Sequence, residues 1–140
     1  MPTIFTRIIE GELPGRFVWK DDRAVAFLSI APMTPGHTLV VPRAEIDHWI
    51  DMDAELTAHL FQVAQYIGKA QELEWNPARV GVMIVGEEVP HTHIHVVPIN
   101  SVNELSFAHA DASPDPAAMD DAAARLRTRL RELGAPGVSE

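Results

Sequence analysis

The 140-residue sequence contains no cysteine, few basic residues and no long apolar run. The lack of cysteine excludes disulfides, a thiolate nucleophile and any cysteine zinc finger. Lysine and arginine number 11 against 20 acids, a formal charge of −9. That balance argues against nucleic acid as a partner, because nonspecific binding needs a basic footprint. No apolar stretch approaches the ~20 residues of a membrane span. The segment Met1–Arg7 lacks the basic-then-apolar order of a signal peptide. A cytoplasmic domain without a membrane partner is expected. Histidine, by contrast, is plentiful, with seven copies.

The negative charge is concentrated. Residues 45–74 carry seven acids and one base, and residues 101–140 carry seven acids and four bases. Residues 1–44 and 75–100 together are neutral. An acidic chain can therefore still take an anionic substrate, provided its charge lies away from the site.

Short β-prone runs at 18–20 and 24–28 flank Asp21-Asp22-Arg23, a hairpin turn. Pro35 and Gly36 precede a buried strand running to Pro42, and further strands are expected over 80–85 and 92–98. Residues 53–73 carry Leu56, Leu60, Val63, Ile67 and Ala70 at helical spacing behind Asp53, a good N-cap. Grouped strands with one main helix predict an α+β fold around a five-stranded, mainly antiparallel sheet. Residues 108–116 read as a linker or extended arm. A C-terminal helix follows between Asp115-Pro116 and Gly134, with Met119, Ala123, Leu126, Leu130 and Leu133 on one stripe. That stripe must pack on the domain's own flank or on a partner subunit.

Three of the seven histidines lie within His91-Thr92-His93-Ile94-His95. In a strand their side chains share one face while Thr92, Ile94 and Val96 take the other. Three readings compete. The histidines are incidental on a solvated strand; or they bind a metal with help from Glu87, Glu88 or His37; or one imidazole is a nucleophile oriented by the others. A lone histidine would favour the first, and three on one face favour the third. His48, His59 and His109 belong to no pattern and read as surface residues.

The pattern His-x-His-x-His-x-x resembles the signature of the histidine triad nucleotide hydrolases and transferases. The likeness continues in Ile4-Phe5, Ile8-Ile9, Gly11-Glu12-Leu13-Pro14, Ala26-Phe27-Leu28, Ile30-Ala31-Pro32 and Pro35-Gly36-His37-Thr38-Leu39-Val40-Val41-Pro42. It covers residues 1–107, leaving 108–140 as linker and tail helix. The resemblance implies that His93 attacks the α-phosphorus of a nucleoside phosphoramidate, nucleotide ester or dinucleoside polyphosphate. The resulting nucleotidyl-histidine is then cleaved by water. His95 would contact the phosphate and leaving group, and His91 and His37 would complete the network. No cofactor or metal is implied, and a homodimer is. The nucleotide would lie among Phe5, Ile8, Phe27, Ser29, Ile30, Leu39, Glu88 and Val89.

Some residues depart from the family pattern. Ser29 stands where many members grip the ribose with an aspartate. Glu88 stands where a hydroxyl usually contacts phosphate, and a carboxylate there repels phosphate unless it points away, is protonated or faces a cation. Some members also bind a structural zinc through a Cys-x-x-Cys and a histidine. The matching positions are Thr3, Thr6 and Glu45, so no structural zinc is expected. A metal-dependent hydrolase using the same histidines, and a nucleotide-binding module with weak catalysis, are the rival classes.

Overall fold

A computed structural model describes residues 1–140. Strand β1 (Phe17–Lys20) turns into β2 (Ala24–Leu28). At the turn, Asp21 Oδ1 accepts from the amides of Arg23 and Ala24, both at 2.8 Å. Strands β3 (Thr38–Pro42), β4 (Arg79–Met83) and β5 (Ile94–Ile99) complete an antiparallel sheet in the order β1-β2-β3-β5-β4. Three strand limits differ from expectation by one residue and two by two residues. β4 ends at Met83, two residues before Val85, and β5 begins at Ile94 rather than Thr92. Local hydrogen bonding explains the second difference. Pro42 has no N–H for the ladder. Its carbonyl accepts from the His91 side chain instead, while the Thr92 amide donates to Ile46 O.

The main helix, α2 (Ala54–Trp75), starts where Asp53 caps the Leu56 amide at 2.8 Å. It runs two residues beyond the expected Leu73 and stops at Asn76 in the left-handed conformation, φ 47°. Leu60, Val63, Ile67 and Ala70 pack on Val18, Ala24, Ala26, Val40, Ile94 and Val96. These strand residues share one face of the sheet, as the period of two requires. The other face carries Val25, Phe27, Leu39 and Val41, packed with Phe5 and Ile8. Those two belong to a short helix, α1 (Ile4–Ile9), which the sequence pattern does not predict. Thr3 is its N-cap, accepting from the Thr6 amide at 3.1 Å. Covered on both faces, β2 and β3 are buried throughout.

The C-terminal helix, α3 (Pro116–Glu132), inserts Met119, Ala122, Ala123, Leu126 and Leu130 into the same core as α2. Its stripe therefore rests on the protein's own flank. Arg125 and Arg129 meet Glu74 of α2 at 2.9 and 3.1 Å. The last residues then fold along β1. Gly137 O accepts from the Lys20 amide, and the Ser139 amide donates to Val18 O. The free edge of β1 is thereby closed, whereas that of β4 is open. Residues 108–116 do not extend as an arm. A 3₁₀ turn at Phe107–His109 and a bond from the Asp111 amide to Pro32 O hold the segment against the sheet. No helix is long and apolar enough to cross a membrane.

Candidate active site

A cleft of about 740 Å³ opens where α1, the loop after β2, the loop before His91 and the Phe107–Ala110 turn converge. Its walls include His37, His93 and His95, with Phe5, Ile8, Phe27, Ser29, Ile30, Leu39, Glu88 and Val89. Every residue assigned to the catalytic or nucleotide-binding set in the sequence thus lines it except His91. That residue is fully buried behind Phe5, whose ring lies edge-on 4.8 Å from the His93 ring.

Three imidazoles have tautomers set by their neighbours. A carbonyl only accepts and an amide only donates, so each contact identifies which ring nitrogen carries hydrogen. His93 Nδ1 lies 2.8 Å from His91 O and therefore carries hydrogen, leaving a lone pair on Nε2. His37 Nδ1 accepts from the Met33 amide at 3.0 Å. Its Nε2–H then donates to His95 Nδ1 at 2.9 Å, which leaves the hydrogen of His95 on Nε2. That Nε2 has no partner, although the residue is only 5% exposed. A buried donor with no partner is costly unless a ligand or water completes it. The His93 and His95 rings lie 5.0 Å apart between centroids.

Burial pushes the histidines away from charge. It lowers His37 to about 3 and His95 to about 4, each helped by neighbouring histidines. Burial is also the main cause of the lowered values of His93 and His91. All four are neutral at pH 7, the form in which imidazole is nucleophilic.

His91 is held differently. Its Nε2–H donates to Pro42 O at 2.7 Å, and its Nδ1 faces Thr3 Oγ1 at 2.6 Å. Thr6 Oγ1 and the Thr3 amide both donate to Glu45 Oε1, at 2.6 and 2.8 Å. The positions that carry zinc ligands in some relatives here hydrogen-bond to one another, and threonine hydroxyls are poor zinc ligands. Nowhere are three or more histidine, aspartate or glutamate side chains arranged to hold a metal ion.

Ser29 Oγ accepts from the Ala31 amide at 3.2 Å, stabilising its own loop at the cleft wall. Ile30 is 74% exposed and stands at the mouth. Glu88 and its neighbour Glu87 are exposed at the rim and face no free cation. The one basic side chain lining the cleft, Arg16, pairs with Asp120 of α3 at 2.8 Å. Phe107, Arg16 and Asp120 also line the cleft, and the sequence motifs do not predict them there. The Phe107 ring stands edge-on 5.5 Å from that of His95. As a lone aromatic in a polar stretch it was detectable, whereas an Arg16–Asp120 contact across 104 positions was not. His48 and His109 are exposed, and His59 is partly covered. It is half-buried and bonded to Asp21 at 2.7 Å, which also receives the Trp19 indole N–H.

An α+β domain with this sheet order and a buried row of histidines defines a class of nucleotide-binding hydrolases and transferases. Residues 10–102 match the family model of the HIT domain, and the chain belongs to the histidine triad family. An uncharacterized HIT-like protein of Borreliella burgdorferi is 37% identical over 102 residues, spanning 68% of this chain and 73% of that protein. Two crystal structures share the architecture, each at 28% identity. A zinc-bound histidine triad family protein from Mycobacterium smegmatis has a TM-score of 0.81, covering 94% of this chain and 95% of that one. A Hit-like protein involved in cell-cycle regulation from Bartonella henselae, with an unknown ligand, has a TM-score of 0.78, covering 91% and 95%.

Proposed function

We propose that the cleft hydrolyses, or transfers the nucleotidyl group of, a nucleotide derivative through a covalent intermediate on His93. The observation that carries this reading is the opposed pair of ring nitrogens. His93 Nε2 offers a lone pair, and the neighbouring His95 Nε2 offers an unpartnered N–H. The lone pair forms a bond to the α-phosphorus as the bond to the leaving group breaks. The leaving group takes the proton of His95 Nε2–H as it departs, the water that attacks in the second step returns a proton to that nitrogen, and His95 also stabilises the charge developing on the phosphate oxygens. Water then displaces His93, so a nucleoside monophosphate and the protonated leaving group are the products. The apolar wall of Phe5, Ile8, Phe27 and Leu39 suits the base.

The charge of the cleft favours one leaving-group class. The histidines are neutral, Arg16 is neutralised by Asp120, and Glu87 and Glu88 stand uncompensated. A dinucleoside polyphosphate brings several further negative charges into this field. A phosphoramidate or simple ester brings one, and a protonated amine on its leaving group is attracted. We therefore place phosphoramidates and monoesters ahead of polyphosphates. The open edge of β4 supports a homodimer as the working form.

The test is rapid-quench mass spectrometry with nucleoside phosphoramidates. Wild type is expected to accumulate a nucleotide adduct on His93, and His93→Ala to lose both adduct and turnover. Turnover undiminished in His93→Ala would overturn the mechanism.

A further inference from the structure

The opposed nitrogens work only if His93 keeps its hydrogen on Nδ1, and the acceptor that enforces this is a main-chain carbonyl, His91 O. A carbonyl is as well aimed as the residue that bears it. His91 lies in the stretch before β5 begins, so no sheet ladder fixes it. Its amide reaches only Val89 O, inside its own loop. The Thr92 N–H of the same peptide donates to Ile46 O at 2.7 Å, and the His91 ring adds one bond at each end.

One end is Nε2–H to Pro42 O, which closes β3. Because Nε2 carries the hydrogen, the neutral ring has a lone pair on Nδ1, and the Thr3 hydroxyl must donate to it. The same hydroxyl oxygen accepts from the Thr6 amide as the cap of α1. Helix α1 is only six residues long, too short to be stable by itself. What ties its start to the sheet is Glu45, just beyond β3, whose Oε1 receives both the Thr3 amide and the Thr6 hydroxyl. The chain of contacts runs from Glu45 through Thr3 to the His91 ring, and from the His91 carbonyl to His93. Thr3 and His91 are 88 positions apart, so neither has a local reason to meet the other.

We infer that Thr3, anchored by Glu45, is a positioning residue that locks the His91 ring and through it the tautomer of the nucleophile. This rests on the reading of His93 as nucleophile, but the state of the rings is measurable without turnover.

The experiment compares Thr3→Val, Thr3→Ser, Glu45→Ala and wild type by 15N-resolved NMR of the imidazoles and by single-turnover kinetics with a nucleoside phosphoramidate. Valine keeps the shape of threonine and removes the donor. Wild type should show hydrogen on Nε2 of His91 and on Nδ1 of His93. In Thr3→Val the His93 signals should report mixed tautomers, with a rate about tenfold lower, the worth of one lost hydrogen bond. Thr3→Ser should restore both, which filling of space alone would not do. Folded Thr3→Val with wild-type tautomers and a rate within about twofold of wild type would overturn the inference. So would Thr3→Ser as impaired as Thr3→Val. If Thr3→Val does not fold, Glu45→Ala decides. Disturbed His91 and His93 signals in folded Glu45→Ala support the inference, and unchanged signals overturn it. A wild-type protein that turns over nothing removes the proposed function, while the tautomer comparison still decides the positioning role.

Discussion

A neutral imidazole donates from one nitrogen and accepts at the other, so neighbours that specify one nitrogen specify both. The site uses this twice, with a carbonyl below His93 and an amide beyond His37, to present opposite functions on adjacent rings. Protonation would remove the lone pair of His93 and break the His37–His95 contact. Because burial holds these rings below the ordinary value of 6.5, the acid limb of kcat/KM should be centred below pH 6.5. An acid limb centred at or above 6.5 would contradict the assignment. Stability follows the same sign. The unfolded chain takes up these protons near 6.5, whereas folded His95 and His37 take them up only near 4 and 3. The unfolded state therefore binds more protons in between, and the melting temperature should drop as pH falls below 6.5. Replacing His37 with asparagine should flatten part of that drop, measured by thermal melts across the same range.

At the scale of elements, the histidines are aimed by what packs behind them. Gln71 of α2 is fully buried, and its Nε2 donates to Gly36 O and Val96 O, both at 2.9 Å. Those carbonyls adjoin His37 and His95. Gly36 itself sits at φ +92°, and a Cβ there would collide with the ring of Trp75. Gly36→Ala should therefore cost about 2–4 kcal/mol, from positive-φ strain plus overpacking, and should lower kcat by displacing His37. Denaturant melts read the first effect and steady-state rates the second. A stable, fully active Gly36→Ala would show that this turn does not aim His37. Long elements were legible in the sequence, because Leu60, Val63, Ile67 and Ala70 repeat over enough turns to reveal a stripe. Helix α1 was not, since Phe5 and Ile8 make a single i, i+3 pair and the helix depends on Glu45 and the sheet for its stability. The triad residues were legible because alternation holds even where the ladder does not. Ile94 and Val96 face α2, and His93 and His95 face the cleft. The cleft's remaining wall was less legible: Phe107 stands out only as a lone aromatic, and the return path that brings Ala110 and Asp120 to the cleft leaves no periodic trace.

For the whole molecule, the two edges of the sheet are treated differently. The tail at 137–139 pairs with β1 and closes that edge. Nothing covers β4, and an uncovered edge is a template for another strand. Beside it lies a groove of about 1030 Å³ between β4 and the outer face of α2, containing Phe61, 41% exposed, and Val82, 45% exposed. Arg23, Lys69 and Arg79 line it together with Glu55 and Glu72. A two-fold axis sets one surface against itself, so a patch carrying both signs can be complementary to its own copy where a patch of one sign cannot. The excess negative charge of residues 45–74 would otherwise repel a second copy at α2. We therefore expect sedimentation at micromolar concentration to give a dimer, with a melting temperature that rises with protein concentration. Val82→Lys places a charge on the open edge, as natural edge strands do. It should yield a folded monomer whose melting temperature is independent of concentration, with the resonances of His37, His93 and His95 unmoved because Val82 lies outside the cleft. A wild-type protein that sediments as a monomer throughout, or a Val82→Lys variant that remains dimeric, would move the interface away from this edge.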